Sequence, residues 1–120
     1  MSIESVRRVV ANFNRRKAGA SDFYVYLQVS DAKKAFARAR LEAAEADDQE
    51  QSFEGGYSGT ILEKDSFKIQ TSPLPLKEAM KFADSDVENN DKWGPAFCIP
   101  VLGPDKKTVI GHYFYGFASS

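Results

Sequence analysis

One cysteine and one histidine, Cys98 and His112, flank the turn residues Gly103-Pro104-Asp105 in AFCIPVLGPDKKTVIGHYFYG, residues 96–116. In an antiparallel hairpin the length of the turn decides which residues face each other. A loop of Pro104, Asp105 and Lys106 sets Cys98 directly against His112, whereas a loop of two or four residues sets it against Gly111. Directly opposed side chains have Cβ atoms about 4.5 to 5.5 Å apart, close enough for an imidazole to draw the proton from a thiol. That would be the start of a nucleophilic cysteine site. Such a site also needs an oxyanion hole and a third group to orient the histidine, and no local motif supplies either. The apolar neighbours Phe97 and Ile99 would moreover raise the thiol pKa. The expectation is a structural cysteine, with a Cys98/His112 enzyme as an alternative.

The metal and phosphate motifs fail on inspection. Asp84, Asp86 and Glu88 begin like a calcium loop, but the sixth position is Asn89 where a glycine must turn, and the twelfth is Pro95 where a bidentate glutamate belongs. EGGYSGT, residues 54–60, is glycine-rich but leads toward a strand and lacks the Lys-Ser/Thr of a phosphate loop. With one cysteine and one histidine there are too few ligands for a zinc site. No metal and no cofactor is expected.

Aromatic and basic residues offer a binding surface instead. Tyr24 and Tyr26 share the side of one strand opposite its apolar residues, and Tyr113 and Tyr115 share a side of the last strand. With Arg15, Arg16 and Lys17 nearby, they could stack bases and hold phosphates of a single-stranded nucleic acid. Against this, SFKIQTS keeps only Phe67 of an RNA-binding strand motif, and the pI is about 5.8. Trp93, the only tryptophan, sits in Lys92-Trp93-Gly94-Pro95, where the indole can cap one end of the core. If exposed, it becomes with Tyr57 and the acidic loop the centre of an interface.

Charge is unevenly distributed along the chain. Residues 1–40 hold nine Lys or Arg against three acids, residues 41–91 four against thirteen, and residues 92–120 three against one. The net charge is −1. Opposite patches can neighbour and neutralise each other in the fold, or they can steer association between copies.

The elements that must position these residues follow from periodicity. Ile3, Val6, Val9, Val10 and Phe13 form a helical stripe within 2–17, and DFYVYLQV alternates as a strand. AKKAFARARLEAAEA, after the caps Ser30 and Asp31, is a strong helix whose inner stripe is mostly alanine. YSGTILE and SFKIQT predict a hairpin, and Pro73 and Pro75 introduce a helix around LKEAMKFADSDV with Leu76, Ala79, Met80, Ala83 and Val87 inward. AFCIPVL and KTVIGHYFYGF close the chain as a second hairpin.

The order is helix, then βαββαβ over 22–102, then a final strand over 108–117. This predicts one α+β domain over residues 1–120 with a mostly antiparallel sheet, in a ferredoxin-like or split-βαβ topology with both helices on one face. No apolar run nears the roughly 18 residues that span a bilayer, and the N-terminus lacks a signal peptide's apolar stretch, so a cytoplasmic, membrane-free protein is expected. The functional expectation is a non-enzymatic protein that binds a protein partner or its own copies, as a homo-oligomer, through aromatic and oppositely charged surfaces.

Overall fold

A computed structural model describes residues 16–17, 20–49 and 61–119. The predicted helix over 2–17 lies outside them up to residue 15, as do the glycine-rich segment before residue 61, Tyr57 and Arg15. The described elements are β1 (Arg16–Lys17), β2 (Ala20–Leu27), α1 (Ala32–Gln49), β3 (Phe67–Ile69), β4 (Leu74–Pro75), α2 (Leu76–Asp86), β5 (Ala96–Leu102) and β6 (Val109–Ser119), with 3-10 turns at Ile61–Glu63 and Val87–Asn89. The fold is α+β, a mostly antiparallel sheet with two helices packed on it, as the periodicities predict. No described helix is long and apolar enough to cross a membrane.

The sheet order is β1-β2-β6-β5-β3, with β4 also paired to β5. β1 with β2, β2 with β6, and β5 with β6 are antiparallel, whereas β3 and β4 both run parallel to β5. Because β6 occupies one side of β5, β3 and β4 are two pieces of one edge, interrupted at Gln70-Thr71-Ser72-Pro73. A short edge broken by prolines offers little backbone for a foreign strand to pair with.

Several expectations are corrected. Arg16 and Lys17 are not the end of a helix but an edge strand, opposed to Ser21 and Ala20. The YSGTILE/SFKIQT hairpin is absent at its described residues, since 61–63 forms a 3-10 turn that buries Ile61 in the core beneath α1. From β2 to β6 the described order is the expected βαββαβ followed by a final strand, but β3 and β4 each pair parallel to β5 instead of with each other, so the ferredoxin-like pairing does not form.

The helices also take opposite faces rather than one. Ala35, Phe36 and Ala39 of α1 pack with Phe23, Leu27, Cys98 and Phe114, whereas Ala79 and Ala83 of α2 pack with Phe97, Ile99, Val101, Tyr113 and Tyr115. The reason is handedness. The connection through α1 carries the chain from β2 across to the far edge, and the one through α2 carries it back toward β5. Two parallel crossovers in opposite directions keep the same hand only when their helices lie on opposite faces.

The alanine stripe of α1 behaves as its composition predicts, with Ala35 and Ala39 buried. Phe36, Phe67 and Phe114 meet there as an aromatic trio with centroids 5.1 to 5.7 Å apart. On α2, Met80 departs from its predicted inward role and is 39% exposed.

Candidate functional site

The residues expected to do chemistry are not brought face to face. The hairpin register opposes Cys98 to Phe114 and His112 to Pro100, because the turn is closed by Gly103 and Thr108 and a register shift between Val101 and Leu102 displaces the pairing by one more residue. Within it Lys106 adopts φ 58°, and Asp105 accepts hydrogen bonds from the Lys107 and Thr108 amides and from the Thr108 hydroxyl. The Thr108 hydroxyl, then the two amides, hold the Asp105 carboxyl down at about 2. Four residues, 104–107, lie inside that closure, but with the register shift the pairing matches neither of the registers read from the sequence. Burial pushes the Cys98 thiol up to about 12, the opposite of what a nucleophile needs. His112 is buried, stacks on Phe114, and places Nδ1 2.9 Å from the Val29 carbonyl. A carbonyl only accepts, so Nδ1 carries the proton in that bond.

The tyrosines do converge on one face. Tyr24 opposes Tyr115 and Tyr26 opposes Tyr113 across β2 and β6. That face is a second core rather than a surface, because α2 covers it. Tyr113 and Tyr115 are buried, and only Tyr24 and Tyr26 keep partial exposure. The Tyr115 hydroxyl donates to Asp86 Oδ2 at 2.9 Å, and burial, reinforced by the aspartate, raises its pKa well above the ordinary value. Gln70 and Asn89 also donate to Asp86, so this carboxylate ties the end of α2 to the sheet.

Trp93 is the exception. It does not cap the core, being 74% exposed on the loop that leads into β5. An exposed indole on a slack loop would be unremarkable. This loop is held from beneath by a residue that sequence reasoning missed, Lys64. Its side chain is only 1% exposed, and its Nζ donates to Gly94 O at 2.9 Å, Asp91 O at 3.0 Å, and Asn90 Oδ1 and Lys92 O at 3.3 Å. These oxygens carry no hydrogen to donate, so the cage suits a donor-only ammonium. Burial pulls the lysine down to about 8, offset in part by Asp91 and Glu63.

The cage is tied to the sheet through Asn90, itself buried. Asn90 Oδ1 also accepts from the Phe117 amide at 2.7 Å, and its Nδ2 donates to Pro95 O at 3.0 Å. Gly116 makes this approach possible, because a Cβ there would meet Asn90 Oδ1 at 2.5 Å. Above the cage the Trp93 amide donates to Asp91 Oδ1 and the Gly94 amide to Asp91 O. Lys92 Nζ lies 5.2 Å from the centroid of the indole, a cation-π distance.

A lysine in a polar stretch such as Glu63-Lys64-Asp65 carries no sequence signal of burial. The nearest hint was Trp93 itself beside Gly-Pro. Compared with known protein families, curated proteins and solved structures, the chain matches none.

Proposed function

We propose that the chain is a binding protein whose contact centre is the Trp93 loop. One observation carries this reading: the only tryptophan is 74% exposed while the backbone on either side of it is fixed by the buried Lys64 ammonium. Large exposed aromatics lose much water on docking, and a loop already ordered loses little entropy in doing so. Tyr57 lies outside the described residues and Tyr113 and Tyr115 lie in the core, so the interface reading now rests on Trp93. Non-enzymatic action and a cytoplasmic setting remain part of the proposal.

The test compares what the wild-type chain, Trp93→Ala and Leu41→Ala retain from cell extract. Leu41 is an exposed apolar residue on α1 and serves as the control. A partner kept by Leu41→Ala but bound roughly 30-fold more weakly by Trp93→Ala supports the reading, as expected of a hot-spot residue. Equal retention by all three sinks it.

A further inference from the structure

Among the described residues, the fold collects charge at two separate ends of the sheet. β2 and β5 are both antiparallel to β6, so their starts lie together at one end of the sheet and their finishes at the other. Trp93 stands at the start-of-β5 end. With it among the described residues are Asp22 near the start of β2, Glu63 and Asp65 before β3, Asp84, Asp86 and Glu88 at the close of α2, and Asp91 in the loop, set against Arg40, Lys64, Lys68 and Lys92. Arg16 and Lys17 belong to this end but lie three strands away, on β1. At the opposite end the turn after β5 exposes Lys106 and Lys107, and the first turn of α1 exposes Lys33 and Lys34. Lys77 joins these lysines at the start of α2, against three exposed acids, Asp31, Glu78 and Asp105, so this end keeps a net positive charge among the described residues.

Separation decides whether these ends cancel. The seven residues of β5 span roughly 23 Å at about 3.3 Å per residue. Screening at physiological salt acts over about 8 Å, so the two ends do not neutralise each other within one molecule.

We propose that copies of this chain associate head to tail, the Trp93 end of one seated on the Lys33, Lys34, Lys106 and Lys107 end of the next. The proposal rests on the reading of Trp93 as a contact centre and names a second copy as the occupant. The chemistry fits on two counts: carboxylates meet ammonium groups, and an exposed indole accepts a lysine over its face. An interface made of two different patches is heterologous, so each copy keeps one end open.

The experiment is sedimentation velocity on the full chain at low ionic strength and again at several-fold higher salt. The wild type is expected to form concentration-dependent species larger than a monomer that dissociate as salt rises. Trp93→Ala, and separately the double variant Lys106→Glu with Lys107→Glu, are each expected to self-associate at least tenfold more weakly. Mixed together, they are expected to pair and stop at a heterodimer, because one contributes an intact basic end and the other an intact Trp93 end. Only the double variant carries a tryptophan in that mixture, so a shift in its emission reads the seating directly. A wild type that stays monomeric at low salt, or variants that fail to pair, overturns the proposal. A monomeric wild type whose Trp93→Ala variant still loses a foreign partner would overturn head-to-tail association alone and leave the Trp93 reading standing.

Discussion

A lysine ammonium held under a loop acts on stability in two opposed ways. Its three N–H groups are shared among four oxygens at 2.9 to 3.3 Å, but it carries a charge out of water. The folded chain releases the Lys64 proton at about 8, and the unfolded chain near the ordinary 10.5. Between those values the unfolded state binds more protons, so stability from this group rises with pH across that window. Relative to Lys64→Met, the wild type should gain up to about 3 kcal/mol there, read from denaturant unfolding at a series of pH values. A flat difference would refute the buried charge. Cys98 has the opposite sign: its thiol holds its proton to about 12 when folded and to 9.0 when not. Its contribution falls across that interval, and Cys98→Ala should remove that part of the alkaline loss. Asn90 has no such compensation. Asn90→Ala leaves the buried Phe117 amide without its acceptor and the ammonium with one fewer, and should cost roughly 2 to 4 kcal/mol. The exposed Asn89→Ala is the control, and an equal effect for both would contradict the role given to Asn90.

At the scale of elements, apolar periodicity was a good guide and turn geometry was not. The stripe of α1 was legible because Ala35, Phe36 and Ala39 repeat at helical spacing, and those residues are buried. Ala39→Leu would force a larger side chain between α1 and the sheet and should lose about 1 to 3 kcal/mol, seen as a lower denaturation midpoint. The hairpin register was not legible, because Asp105 bonding the Lys107 amide is an ordinary Asp turn, whereas the lysine at positive φ and the register shift between Val101 and Leu102 have no sequence signature. Lys106→Gly should stabilise the chain by roughly 0.5 to 1 kcal/mol by removing the side chain's conflict with that backbone. A loss instead would mean that the lysine is not strained there. The candidate site was half legible. Trp93 announces itself by type, whereas the burial of Lys64 depends on contacts with residues 26 to 30 positions away in sequence.

At the scale of the molecule, both faces of the sheet are packed as cores among the described residues, which is why the proposed contact centre lies at an end of the sheet. That inverts the expectation of an exposed tyrosine face and leaves the ends of the strands as the places where charge and the one exposed indole collect. β6 has a further consequence. It is the last strand in chain order yet lies in the middle of the sheet, between β2 and β5, with Ala20 paired to Ser119. Without β6, β2 and β5 lack the strand that joins them, and the pairing of β2 with β5 across it cannot form until β6 is in place. A chain stopped before Val109 should show no cooperative thermal transition by circular dichroism, however much of its helix it retains.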